Sequence, residues 1–214
     1  MKTNARLRLF TFLLAVAVAL PALAFEYPLS STSIREAYFI GRQDQQKREK
    51  FFATYTKLLP VPQSGPHIGV IQLETPFVVV VERTAQAISN YHAQDAEQEF
   101  TDKPGIFRVR IRIDLTASYG WTMPAPRGGI RLRPDDFWKD FKVRMLQDEE
   151  IPSQSVHGSP IYSLADESGS SQLIGAWIVL DYNAEKVKSA LATVEVIPPE
   201  GEKVEVTFDL DELR

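Results

Sequence analysis

The chain contains no cysteine, and that absence excludes several kinds of site at once. Disulfide bonds, thiolate metal sites and lipid attachment to an N-terminal thiol all need a cysteine sulfur. The protein must therefore fold on noncovalent packing alone. A domain of about 190 residues buries roughly 70% of the surface that its unfolded chain exposes, so packing alone is sufficient.

Histidine is scarce, and no familiar catalytic or nucleotide-binding motif occurs along the chain. The three histidines lie far apart, at His67, His92 and His157. The nearest approach to a nucleophile turn is Ser159, but the following Pro160 has no backbone N–H to offer an oxyanion hole. The glycine pair in residues 127–130 is too short for a phosphate-binding loop. These absences predict no catalytic residue, no metal site and no cofactor.

Two weaker arrangements leave alternatives open. His92, Asp95 and Glu99 share one face of a short predicted helix, as metal ligands would, although charges on such a face are usually just solvated. A secreted hydrolase would instead need polar residues that converge only in three dimensions. The candidates for that alternative are His157, Asp135 and Asp136.

The N-terminus has the pattern of a cleavable signal peptide. The first eight residues hold no acid and three basic side chains, Lys2, Arg6 and Arg8. The apolar run over residues 9–20 would make about 18 Å of helix, too short for a hydrocarbon core of roughly 30 Å. Small residues before and at Ala24 predict cleavage after it. We expect export to the periplasm or the cell exterior, and a mature chain with no transmembrane segment.

Acidic side chains outnumber basic ones, but they are unevenly distributed. Without the predicted signal peptide, 21 basic and 28 acidic side chains remain, a net charge of −7. Residues 103–144 carry +6, whereas residues 25–102 carry −3 and residues 145–214 carry −10. Because the chain is acidic, exported and without a recognition helix, we expect no nucleic-acid partner.

Residues 25–62 are predicted to form an N-terminal helical segment. Apolar residues recur at intervals of three and four from residue 30 to residue 59, which is typical of amphipathic helices. Gly41 favours a break between two helices, and Asp44 is suited to cap the second. The proline-rich stretch 60–66 then ends the helical segment.

Residues 67–214 are predicted to form a β-sandwich domain with a helical insertion near residues 76–102. Thr75 and Pro76 fit an N-cap and a first helical position, although the four valines that follow would suit a strand equally well. Strands are predicted near residue 71 and over residues 107–115, 141–147, 160–164, 172–182, 190–197 and 203–210. The fold class is thus α+β, mainly β: an antiparallel sandwich of about seven strands, an N-terminal helical pair and one or two short inserted helices.

Arginines alternate with apolar residues along the strand predicted at 107–115. Arg108, Arg110 and Arg112 would lie on one face at intervals of about 6.8 Å. The connection 116–136 adds five aromatic and arginine side chains: Tyr119, Trp121, Arg127, Arg131 and Arg133. Together they suit an anionic envelope glycan, a lipid headgroup or an acidic protein. Alternatively, acids on a neighbouring strand neutralise the ladder, and the candidates are Glu195, Glu202 and Glu205.

These observations favour a non-enzymatic interaction module of the cell envelope, with the basic strand face and the connection 116–136 as its contact surface. A secreted hydrolase remains one alternative. A third is an accessory subunit of an envelope assembly that docks through an edge strand or the helical pair.

Overall fold

The structure is a computed structural model that describes residues 25–87, 90–101, 103–165 and 169–214. The predicted signal peptide, residues 1–24, lies outside the described residues. Over the described part of the chain the fold is α+β and mainly β, with four α-helices and three antiparallel sheets.

Side-chain caps begin three of the four helices that the described ranges contain. The helices are α1 (Ser31–Gly41), α2 (Gln45–Thr54), α3 (Pro76–Gln86) and α4 (Ala93–Phe100). Asp44 caps α2 by accepting the Lys47 N–H at 3.0 Å. Thr75 caps α3 by accepting the Val78 N–H at 3.2 Å. The helical pair, the break after Gly41 and the two inserted helices are therefore confirmed.

The strands of the described residues form sheets of five, four and two strands. In chain order they are β1 (Thr56–Leu58), β2 (His67–Glu74), β3 (Ile106–Asp114), β4 (Thr122–Pro124), β5 (Ile130–Leu132), β6 (Lys142–Leu146), β7 (Glu150–Ile151), β8 (Ser155–Tyr162), β9 (Leu173–Asn183), β10 (Leu191–Ile197) and β11 (Val204–Asp209). The largest sheet has the order β1-β2-β3-β9-β8, and the second has the order β11-β10-β6-β7. Strands β4 and β5 pair only with each other.

Strand β3 lies at the centre of the largest sheet and confirms the alternation predicted for it. Its inward side chains are fully buried, whereas the arginines between them stay partly exposed: Phe107, Val109, Ile111 and Ile113 against Arg108, Arg110 and Arg112. Buried residues of both larger sheets belong to one continuous apolar cluster, to which Ile178 of β9 and Val194 of β10 contribute. The two sheets therefore share a core.

Several expectations drawn from the sequence need correction. A seven-stranded sandwich is not confirmed, because the described strands are divided among three sheets, none of them closed. The helical pattern predicted as far as residue 59 ends at Thr54, where β1 instead pairs with β2. Tertiary pairing overrides local periodicity in so short a segment. Strand β8 begins at Ser155 and includes Pro160, which an edge strand tolerates because no neighbour needs its missing N–H.

The helices have a buried cluster of their own. It joins α1, α3 and α4 through Ile34, Ala37, Phe77, Val80, Val81 and Ala96. At the far end of the chain, the Arg214 N–H donates to the Tyr55 hydroxyl at 3.1 Å, and the Arg214 guanidinium forms an ion pair with Glu36 of α1. The C-terminus thus ties the helical segment to the rest of the fold.

Truncation of the buried ring at Phe77 tests whether the helical cluster is part of the folded core. We expect Phe77→Ala to lower the free energy of unfolding by about 3–5 kcal/mol, because Phe77 of α3 is fully buried in the cluster that α3 forms with α1 and α4. The exposed Phe39 is the matched control, and Phe39→Ala should change stability by less than about 0.5 kcal/mol. Urea unfolding measures both values. Equal effects of the two variants would show that the helices contribute little to the core.

Candidate anion-binding cleft

The arginine ladder of β3 is in contact with carboxylates along its whole length. Arg108 donates through Nε to Asp181 Oδ1 at 2.6 Å and through Nη1 to Glu74 Oε2 at 3.2 Å. Arg110 donates through Nη1 to the other oxygen of Glu74 at 2.9 Å. Arg112 donates through Nε to Asp114 Oδ1 at 2.8 Å. The three guanidinium groups are therefore neutralised within the sheet.

The acids that neutralise the ladder are not the ones expected from the sequence. They belong to β2, β3 and β9 of the same sheet, because β3 pairs with β2 on one side and β9 on the other. Glu195 lies on β10 in the other large sheet, where it contacts Arg144 and Lys203. Arg144 does not extend the ladder either, since β6 pairs with β10 in that second sheet. Whether the ladder also binds an external anion stays a prediction.

The ladder also perturbs an acid that the sequence did not single out. Burial raises the pKa of Glu82 on α3 to about 7, and the nearby Glu74 carboxylate raises it further, whereas Arg110 and Arg108 oppose the rise. Glu82 therefore titrates near neutral pH. Since the charges of two arginines and a buried carboxylate act on it, the pKa of Glu82 reports on the charge balance of this sheet face.

A separate cleft lies between the connection 116–136 and the start of β9. Its cavity volume is about 480 Å³. The described residues that line it are Trp121, Leu132, Arg133, Asp135, Tyr162, Ser163, Ser170, Ser171, Gln172 and Leu173. Backbone pairing holds its far wall, because the Ser163 N–H donates to the Gln172 carbonyl at 2.8 Å. Small-ligand sites in proteins occupy cavities of about this size, roughly 300–1,000 Å³.

Arg133 is the charged centre of the cleft. Its side chain is only 8% exposed, and Nε donates to the Gly120 carbonyl at 2.7 Å. The guanidinium carbon lies 3.5 Å from the ring centroid of Tyr119 and 5.8 Å from that of Phe137. Among the described residues neither Nη atom has a hydrogen-bond acceptor, and no carboxylate lies within ion-pair distance of them. Arg133 thus differs from the ladder arginines, which all contact acids.

Two aromatic side chains border the cleft on opposite walls. Trp121 is contributed by the connection 116–136 and Tyr162 by the end of β8, and both remain about half exposed. The Tyr162 hydroxyl is hydrogen-bonded to Asp135, which raises the pKa of that phenol. This contact joins the two walls. The cleft therefore combines flat apolar rings with a guanidinium, a carboxylate and several neutral polar groups.

The residues predicted for binding are divided among three places. The cleft brings together Trp121 and Arg133, with Tyr119 buried beneath the guanidinium. Arg127 and Arg131 lie on the hairpin of β4 and β5, outside the cleft lining. The ladder of Arg108, Arg110 and Arg112 lies on β3 and also lies outside it.

The far wall of the cleft was not predicted from the sequence. It consists of Tyr162, Ser163, Ser170, Ser171 and Gln172. These residues follow Arg133 by about thirty to forty positions and form no motif with it. Only the pairing of β8 with β9 brings them into place, so no local signal in the sequence could have identified them.

The residues considered for other chemistry have separate roles. His157 is exposed on β8, Asp135 contacts Tyr162, and Asp136 forms an ion pair with Lys139 at 2.9 Å. No contact within the described ranges joins His157 to either acid. Among the residues considered as metal ligands, Asp95 accepts the backbone N–H of His92 at 2.7 Å. Glu99 forms ion pairs with Arg83 and Lys103. In that same part of the chain, no three His, Asp or Glu residues are grouped to hold a metal ion.

Comparisons with known proteins give no assignment. No protein-family model matches the chain, and no curated protein shows significant sequence similarity to it. Within the described residues, every helix is too short or too polar to cross a bilayer. The function is therefore argued from the cleft and its surroundings.

The raised pKa of Glu82 predicts how stability depends on pH. The folded-state pKa, about 7, lies above the ordinary value of 4.5, so the stability linked to the Glu82 proton is fully present below about pH 4.5 and is lost as pH rises to about 7. Glu82→Gln should therefore be more stable than wild type at about pH 8, by an amount on the order of 1 kcal/mol because solvent partly screens the site. Near pH 4.5 we expect almost no difference.

Urea unfolding at both pH values measures the effect of Glu82→Gln. Glu202→Gln is the control, because Glu202 is exposed and has no ion pair among the described residues. A stability difference between Glu82→Gln and wild type that is the same at both pH values would contradict the assigned titration.

Proposed function

We propose that the protein is an exported binding module that holds an acidic saccharide of the cell envelope in the Arg133 cleft. The observation that supports this most strongly is Arg133 itself, a nearly buried guanidinium whose Nη atoms have no acceptor among the described residues. Neither Nη atom is among the fully buried, unpaired polar atoms of the described residues, so both keep contact with the cleft, and an anionic group that enters it can accept their hydrogen bonds.

A carboxylate is the group that best fits Arg133. The planar guanidinium donates two parallel hydrogen bonds to a carboxylate, and such a pair is stronger where water is largely excluded. The cleft also contains the Asp135 carboxylate, which would repel a dianion such as free phosphate. A singly charged ligand is therefore favoured over a doubly charged one.

The rest of the lining favours a sugar as the body of that ligand. Trp121 and Tyr162 offer rings on which the apolar face of a pyranose can lie. Asp135 can accept hydrogen bonds from sugar hydroxyls, while the amide of Gln172 and the hydroxyl of Ser171 can donate to them. An acidic protein partner fits less well, since stable protein interfaces bury roughly 1,200–2,000 Å² and a cleft of about 480 Å³ admits only one side chain or two.

We also interpret the two larger sheets as the layers of an antiparallel β-sandwich. Their inward residues belong to one apolar cluster, as expected for two sheets packed face to face. The cleft would then lie at one end of the sandwich, beside the connection between β3 and β6. Ligand-binding loops occupy the ends of many sandwiches.

Binding of a glucuronate-containing disaccharide tests the proposed function. Calorimetry should show that the wild-type chain binds this disaccharide. The same chain should not bind the neutral disaccharide that has glucose in place of glucuronate. Arg133→Gln should weaken binding about ten- to hundredfold, because a hydrogen bond to a charged group contributes about 1.5–3 kcal/mol. Arg131→Gln removes the same charge outside the cleft and should change affinity by less than about twofold.

Arg133→Lys serves as the second variant, because Arg133 also supports the fold through Tyr119 and Gly120. It keeps the charge but loses the bidentate geometry, and near-ultraviolet circular dichroism checks that Tyr119 remains packed. Equal affinity for the acidic and the neutral disaccharide, or unchanged affinity in both Arg133 variants, would contradict the proposal.

Export is tested by the mass of the chain isolated from its producing cells. Removal of residues 1–24 predicts an N-terminus at Phe25, whose N–H donates to the Leu210 carbonyl at 2.9 Å. The mature mass should appear outside the cytoplasm. A full-length chain recovered from the cytoplasm would show that the signal peptide is not used.

A further inference from the structure

The hairpin of β4 and β5 presents apolar side chains to solvent. Ile130 is 79% exposed and Leu132 is 66% exposed, and both lie on the same face of β5. Trp121 at the base of the hairpin is also exposed. Since exposed apolar side chains as large as these usually occur singly, a group of them on one hairpin indicates a contact surface.

Unneutralised positive charge lies on the same hairpin. No acid occurs between residues 115 and 134. Arg127 and Arg131 are exposed, and neither has a hydrogen bond or an ion pair with any of the described residues. The ladder arginines, by contrast, contact Glu74, Asp181 and Asp114. The hairpin therefore carries two arginines that are free to meet an external anion.

The backbone of the hairpin is well defined. The Ala125 N–H donates to the Gly129 carbonyl at 3.1 Å, and the Gly128 N–H donates to the Ala125 carbonyl at 3.0 Å. Gly128 and Gly129 have φ angles of 89° and 88°, which side-chain-bearing residues rarely adopt. A Cβ added to either glycine would meet nothing within 4 Å, so the tip has open space on the side where a side chain would lie.

We propose that this hairpin docks on the surface of an anionic lipid bilayer. Ile130 and Leu132 enter the headgroup region, Arg127 and Arg131 contact lipid phosphates, and Trp121 lies at the interface. Charge complementarity is the reason for choosing an anionic bilayer as the partner, since each arginine near an anionic membrane surface contributes to the attraction. Trp121 and Leu132 also line the cleft, but the proposal rests on the exposed hairpin side chains and does not require the cleft to be occupied.

The charge of the whole chain supports one orientation on such a membrane. Residues 25–214 carry a net charge of −7, so an anionic bilayer repels most of the surface and attracts the hairpin. A protein strand is a less suitable partner, because β4 and β5 have three residues each and offer little edge for pairing. Pro124 and Pro126 also remove backbone N–H groups there.

Vesicle co-sedimentation tests the hairpin as the membrane contact. The chain as isolated from its producing cells is mixed with vesicles of phosphatidylcholine containing about 30% phosphatidylglycerol, or of phosphatidylcholine alone. We expect about tenfold or greater preference for the anionic vesicles, and loss of that preference when salt rises from about 0.05 M to 0.5 M. The double variant Arg127→Gln/Arg131→Gln should lower the partition coefficient about tenfold or more.

Ile130→Ser tests the apolar contact and leaves the cleft lining unchanged. This variant should also reduce the partition coefficient about tenfold. The matched control is Leu58→Ser/Val61→Ser, since these residues are 78% and 71% exposed but lie away from the hairpin. The control should bind within about twofold of wild type. Glucuronate binding measured on the same hairpin variants should be retained, which separates this proposal from that of the cleft.

Three results would overturn the membrane proposal. One is equal binding to neutral and anionic vesicles. Another is unchanged binding in both hairpin variants. The third is sedimentation equilibrium showing that wild type self-associates and Ile130→Ser does not, which would make a second copy of the chain the occupant of this surface.

Discussion

A single buried carboxylate constrains most of this structure. Glu74 is 1% exposed at the end of β2, and a carboxylate so far from water is tolerated only if cations and hydrogen bonds compensate it. Arg108 and Arg110 of β3 provide both, one on each carboxylate oxygen. Arg108 lies directly opposite Glu74, and Arg110 lies two residues further along β3. These two contacts fix the β2–β3 register. A slip by one residue would place the arginines in the core and Val109 and Ile111 in solvent.

Because the ladder is committed to this register, its charge is matched within the sheet, whereas the connection 116–136 carries three arginines that contact no acid among the described residues. Its three arginines occupy different environments. Arg127 and Arg131 are exposed on the hairpin, whereas Arg133 is almost buried above Tyr119. A free, solvated guanidinium suits a diffuse anionic surface, since it can adapt to many phosphates. A fixed, desolvated one suits a single carboxylate in a defined position.

Local chemistry made part of this architecture predictable. The caps at Asp44 and Thr75 and the alternation along β3 depend only on near neighbours in the chain, and each was identified from the sequence. The pairing partners of the ladder were not, because Glu74 and Asp181 lie 34 and 73 residues from Arg108 and nothing local marks them. Strands β4 and β5 have only three residues each, too few for a period of two to be recognised. The cleft itself was not predicted: Trp121 and Arg133 were recognised as parts of one connection, whereas Tyr162 reaches them only through the β8–β9 pair.

The two proposed surfaces meet at Arg133. Its backbone N–H donates to the Trp121 carbonyl at 2.8 Å and closes the base of the hairpin, while its side chain forms the charged centre of the cleft. The three-residue strands extend the hairpin about 10 Å beyond that point, and the turn over residues 125–129 lies further out. A bilayer in contact with the tip would therefore lie within a few sugar lengths of the cleft. If both surfaces are occupied together, an acidic glycan anchored in the same bilayer is held near the cleft, and this raises its effective concentration there above that of a freely diffusing one.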